Sequence, residues 1–183
     1  KEMLKNALLA ALIAIVLIVI YVWWRFRVMS LSAAVIGILA LLHDAAVMLS
    51  VYAVFRIPVN ESFVAAILTI LGYSINDTII VYDRIRENSR LLRKTPLPEL
   101  VNKSILQTLR RSINTMLTTL ISILVVYIFA AVNNIQSLKE FTLPLIIGMI
   151  AGSYSSIFIA SPLWMMWKQA RSKKTVSAKR ARA

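Results

Sequence analysis

FVAAILTILGYSINDTIIVYDRIREN, residues 63–88, carries both the signal that sets the fold and the exception to it. Phe63–Tyr82 is an apolar block of about the 20 residues that a helix needs to cross a bilayer. Asn76 and Asp77 lie inside it, where a lipid-facing helix carries neither an amide nor a carboxylate. DRIREN, residues 83–88, then closes the block with charge.

Four more blocks of this kind occur: Ala7–Trp24, Leu31–Phe55, Ile113–Val132 and Phe141–Trp167. The chain of 183 residues is 59% hydrophobic and 16% charged, against about 45–50% and about a quarter in a soluble protein. So short a chain cannot hide five such segments in a soluble core. The expected fold is all-α, a polytopic membrane bundle of five transmembrane helices. The last block is long and is expected to be tilted or interrupted near Pro162. The first block is too long for a secretory signal. It ends on Trp23, Trp24, Arg25 and Arg27, as a membrane–water boundary prefers, with no small-residue cleavage site.

The net charge of +13 is unevenly placed. Five spans put Trp24–Ser30, Arg84–Ser112 and the tail from Lys168 on one side, with 17 of the 21 Lys and Arg. By the positive-inside rule that side is cytoplasmic, with the N-terminus outside and the C-terminus inside. The spatial pattern is that of a membrane protein, so no nucleic-acid partner is expected. Residues 1–168 form the transmembrane domain, and 169–183 a basic tail suited to anionic headgroups. The odd span count predicts an earlier span, and an outer domain, before Lys1.

The largest loop, residues 84–112, is cytoplasmic on this reading. Asp83 and Arg86 have helical spacing for a pair. Pro96 and Pro98 break the helix, and Pro98 suits the first turn of the next. Leu100, Val101, Ile105 and Leu109 then share one face, as in an interfacial helix leading to the fourth span or a solvated elbow.

The polar residues inside the spans narrow the function. Thr69, Tyr73 and Asp77 share one face of the third span, flanked by Gly72 and Asn76. Arg111, Thr115, Thr118 and Ser122 form a stripe on the fourth, with Asn114 beside it. Asp77 lies roughly 8 Å from the end of its span, a depth that the Arg111 side chain can reach. Pairing favours the ionised carboxylate and desolvation opposes it, so Asp77 is a candidate proton carrier with Arg111 as its partner. The plain alternatives are a structural acid at Asp77 and an arginine that snorkels to headgroups. His43 and Asp44 lie near the middle of the second span, as an interhelical hydrogen-bond pair or as part of a water-linked path. Gly148 and Gly152 have the spacing of close helix packing. The chain has no cysteine and one histidine, with no spacing suited to a metal and no poised nucleophile. Neither an enzyme nor a cofactor is expected.

GYSINDTIIVYDRIREN (residues 72–88) resembles the signature of the SecD/SecF family of protein-export membrane subunits. HD at 43–44, VNKSILQTLRRSINTMLTT at 101–119 and IGMIAGSYSSIFIASPL at 147–163 extend the likeness. The segments are most similar to the SecF side of that family, part of the resistance–nodulation–division permease superfamily. The resemblance implies a bacterial or archaeal cytoplasmic membrane protein that uses the proton motive force with SecD to drive late preprotein translocation. It implies SecYEG, YajC, an insertase, the preprotein and membrane lipids as partners. It places the essential acid on Asp77 and the essential arginine on Arg111, with Asn76, Tyr73, Thr115, Asn114, His43 and Asp44 as supporting polar groups. The alternative is a translocon scaffold that moves no protons. The family's first span and phenylalanine–glycine-rich outer domain are not in this sequence.

Overall fold

The structure, a computed structural model, describes residues 2–26 and 31–180. Arg27, which the sequence places at the end of the first span, and Arg182 of the tail lie outside them. The described residues are helical and form no strand: α1 (Glu2–Phe26), α2 (Leu31–Val54), α3 (Glu61–Leu91), α4 (Leu97–Val132), α5 (Gln136–Ser155) and α6 (Ser161–Arg180), with a π-helical turn, Ser156–Ala160, joining α5 to α6. α2, α3, α4 and the continuous α5–α6 rod are long and apolar enough to cross a membrane. α1 adds a shorter apolar stretch, Leu12–Phe26.

Hydropathy chooses these helices, and small residues decide how closely they pack. α5 lies against α3 and α2. A Cβ on Gly148 would stand 2.7 Å from both Ile70 Cγ1 and Met48 Sδ, so those side chains would have to shift to admit one. At Gly152 the corresponding contact is Ser74 Cβ at 3.1 Å. Lipid tails are as apolar as leucine, so close backbone approach is a main source of packing here. Leucine, isoleucine and valine cover the outer faces, as at Leu12, Leu42, Val125 and Ile128.

The rod continues through Pro162 but is interrupted just before it by the π turn, as the sequence allowed. Proline lacks an N–H, and its ring crowds the carbonyl four residues back. The π turn just before Pro162 loosens the backbone there. Its polar groups are met by side chains: Ser161 Oγ donates to Ser156 O at 3.3 Å, and Tyr82 OH donates to Ala160 O at 3.0 Å.

The elbow expected between residues 84 and 112 is a helical hairpin. α3 continues to Leu91 and α4 runs unbroken from Leu97 through Ser112 to Val132. Pro98 sits in α4's first turn, where its missing N–H costs nothing. Asn88 Nδ2 locks the hairpin by donating to Ser104 Oγ and Gln107 Oε1, each at 2.8 Å. Asp83 does not pair with Arg86. It pairs with Arg25, which fastens the end of α1 to α3, while Phe26 packs edge-on against Tyr82 at 5.2 Å.

The buried apolar residues fall into two clusters. One holds Met48, Tyr52, Phe63, Ile70, Leu145 and Met149. The other lies toward the α3–α4 hairpin and includes Phe26, Leu41, Ile75, Tyr82 and Trp164. The polar side chains of α2, α3 and the π turn fill the layer between them.

Candidate functional site at the third and fourth helices

Asp77 is buried, with 7% of its surface exposed. Its Oδ1 accepts a hydrogen bond of 2.7 Å from Ser112 Oγ on α4. Arg111, expected as its partner, is exposed, and among the described residues it makes no ion pair with Asp77. Helical phase explains the difference. α4 turns Val101, Ser104, Thr108 and Ser112 inward. One residue earlier, Arg111 is rotated by about 100°, toward the outside. A carboxylate held by a neutral hydroxyl is not locked in an ion pair, and the same bond survives if the acid's other oxygen takes a proton.

The flanking polar residues occupy the outer face. Thr69 and Asn76 on α3 are exposed, as are Asn114, Thr115 and Thr118 on α4. Tyr73 is half-buried and meets Thr119 across the helix pair. Thr118 and Thr119 also donate to carbonyls of their own helix, which satisfies their hydroxyl protons. This part of α4 is scarcely covered: only 6% of its apolar window is buried, against 50% in α3. A polar stripe at membrane depth is thus open on the flank of the bundle.

A second polar cluster lies in the layer between the apolar clusters. Asp44 is fully buried. Its Oδ1 is 3.3 Å from His43 Nδ1, and its Oδ2 accepts from Ser74 Oγ at 2.5 Å. Thr78 Oγ1 and Ser156 Oγ share a hydrogen bond of 3.0 Å, and Ser156 Oγ also reaches Ser74 O at 3.3 Å. Thus α2, α3 and the π turn are tied by short polar side chains. Gly152 gives the cluster room, because a Cβ there would crowd Ser74 Oγ at 3.2 Å, whereas Asp44 Oδ2 at 3.5 Å would be in ordinary contact. Asp44 and Asp77 have separate partners, Ser74 on α3 and Ser112 on α4. Among the described residues no three His, Cys, Asp or Glu side chains converge as metal ligands would.

Sequence reasoning missed Ser112, Ser74, Thr78 and Ser156. Ser104, Thr108 and Ser112 repeat every four residues, which is a legible signal for one inward face of α4. Ser74 and Thr78 have the same spacing on α3, but Ser156 joins them only through the fold.

Known proteins resemble this chain in sequence and in helix arrangement. The family model described as protein export membrane protein SecD/SecF, C-terminal, matches residues 1–170. The protein translocase subunit SecF of Alicyclobacillus acidocaldarius is 45% identical over 99% of this chain and 58% of its own length. The protein translocase subunit SecDF of Thermus thermophilus is 43% identical over 93% of this chain and 22% of its own length. A crystal structure of SecDF in a super-membrane-facing form superposes with a TM-score of 0.85 at 42% identity, covering 97% of this chain and 23% of that one. The chain therefore spans little more than half of the curated SecF relative and about a quarter of the SecDF chains. With the matching family model, the relatives and the shared helix arrangement together, the chain belongs to the SecD/SecF family of protein-export membrane proteins.

Proposed function

We propose that this chain is the membrane half of a Sec-type translocase subunit that couples proton movement to late preprotein export. Asp77 is the group that takes and releases the proton. The single observation that carries this reading is a buried carboxylate whose only hydrogen-bond partner among the described residues is the neutral Ser112 hydroxyl. Intramembrane acids mark ion pathways more often than they serve as packing. Arg111, on the outer face and within electrostatic reach, sets the affinity and approaches when the helices shift.

The open stripe of Asn76, Asn114, Thr115 and Thr118 supports a membrane partner, since polar groups at that depth are poorly solvated by lipid. The relatives named SecDF favour a SecD-type half as that partner. SecYEG, YajC, an insertase and the preprotein stand at further remove in the same reading. The basic connections support a cytoplasmic position for the α3–α4 connection and the tail in a bacterial or archaeal inner membrane, with the N-terminus outside. The chain makes and breaks no covalent bonds in this role.

The membrane potential supplies about 2.3 kcal/mol per charge per 100 mV, enough to bias a rocking motion against the partner. Asp77→Asn keeps the shape and the acceptor from Ser112 but removes the ionisation. Export measured in vesicles should lose its dependence on the proton gradient while the variant stays assembled. The rival is a scaffold in which the Asp77–Ser112 bond only joins α3 to α4. It predicts intact gradient dependence in whatever variant protein assembles.

A further inference from the structure

At the hairpin end of the bundle a pocket of about 220 Å³ opens between α3, the first turn of α4 and α6. Arg86, Ser89 and Arg90 line it from α3, Lys168 and Trp164 from α6, and Leu100 from α4. None of its lining residues is acidic. Of the nearby acids, Asp83 pairs with Arg25 and Glu87 with Arg84, while Glu99 stands exposed in the first turn of α4, outside the lining. Among the described residues Arg86, Arg90 and Lys168 form no ion pair. Lys168 Nζ instead stands 4.7 Å from the Trp164 ring centre.

One further feature suits an anion. Trp164 is buried, and among the described residues its indole N–H has no partner. Ser89 contributes acceptor oxygen only, since its proton goes to Arg86 O at 2.7 Å. The three cations are therefore the principal donors.

Depth separates a membrane ligand from a soluble one. Trp167 on α6, with Trp24 and Arg25 on α1, marks this end as a boundary belt of aromatics and cations. On the adjoining face of α6, Leu163, Met166 and Trp167 are exposed along an apolar recess. A ligand with a phosphate for the cations and acyl chains for that recess fits both surfaces. We propose that the pocket binds the headgroup phosphate of an anionic phospholipid and so fixes the α3–α4 hairpin to α6 at the membrane surface.

The test uses the full chain in nanodiscs of phosphatidylcholine, alone or mixed equally with phosphatidylglycerol. Retained lipid is counted by native mass spectrometry after detergent release. The wild-type chain should retain phosphatidylglycerol and not phosphatidylcholine. Each of Arg86→Gln, Arg90→Gln and Lys168→Gln should weaken retention about fivefold, the effect of one cation near an anionic surface. Arg93→Gln with Lys94→Gln, in the exposed loop outside the pocket, should leave it unchanged. Lys168 is itself exposed, so its variant tests the site without disturbing the core. Equal retention in the pocket variants would overturn the proposal. So would an equal loss in the loop variant, which would mean diffuse surface attraction. Displacement of the lipid by millimolar inorganic phosphate would overturn the lipid as the source of the anion.

Discussion

Ser112 Oγ donates to Asp77 Oδ1 across 2.7 Å, joining the buried acid of α3 to a neutral hydroxyl on the inward face of α4. This bond separates two properties that a single substitution usually confounds. Asp77→Asn retains an acceptor for Ser112, so thermal stability in detergent should change little while gradient-dependent export is lost. Ser112→Ala removes the donor and should lower stability by about 1–3 kcal/mol, the cost of an unsatisfied buried group, while retaining partial export. Equal stability losses in both variants would favour a purely structural bond.

Glycine positions make a sharper test of packing. Gly148→Ala forces a Cβ to within 2.7 Å of Ile70 and Met48 and should destabilise by about 1–3 kcal/mol through overpacking. Gly152→Ala presses on Ser74 at 3.1 Å and should cost less. Gly72→Ala meets nothing within 4 Å and should be neutral or stabilising by up to about 1 kcal/mol through helix propensity. Thermal unfolding of the three variants should rank them in that order.

In the interior layer, Ser74→Ala leaves Asp44 Oδ2 without its donor in a fully buried site. The expected loss is about 1–3 kcal/mol, more if the carboxylate stays charged. Asp44→Asn with Ser74→Ala together should cost less than the sum of the two singles, because they share one bond. A double-mutant cycle on unfolding midpoints checks this.

The Arg25–Asp83 pair fastens α1 to α3 while remaining partly exposed, with side chains 28% and 44% accessible. Its coupling should be about 0.2–1 kcal/mol and should weaken with salt. Exchanging the charges, Arg25→Asp with Asp83→Arg, should recover most of what either single change loses. Additivity of the singles in the cycle would show that the pair contributes no coupling.

The spans were legible because lipid demands them: long apolar runs such as Leu31–Phe55 have no other stable destination. Asp77 was legible for the same reason, as an exception in such a run. Its partner was not. Arg111 and Ser112 differ by one residue, and charge drew attention to the first while helical phase faces the second inward. Ser74, Thr78 and Ser156 were illegible for another reason. Serine and threonine often bond to their own helix, as Thr78 does to Ser74 O, so their presence in a span says little about the neighbours they reach. The continuity of α4 was also hidden, because Pro96 and Pro98 read as a break without showing how soon the helix resumes.

The π turn has a consequence for the direction in which α6 points. Pro144, Gly148, Gly152, Ser156, Ala160 and Trp164 are all buried, at a strict spacing of four. In a straight α-helix such a series winds around the axis by about 40° per step, and its last members would turn away from the core. The wider turn at Ser156–Ala160 takes up part of that angular drift. It acts as a phase corrector, delivering Trp164 to Tyr82 at 5.9 Å between ring centres. Deleting one residue there would rotate everything after it by about 100°, leaving the lower half of the rod correctly packed and swinging the Trp164–Lys168 surface away from α3.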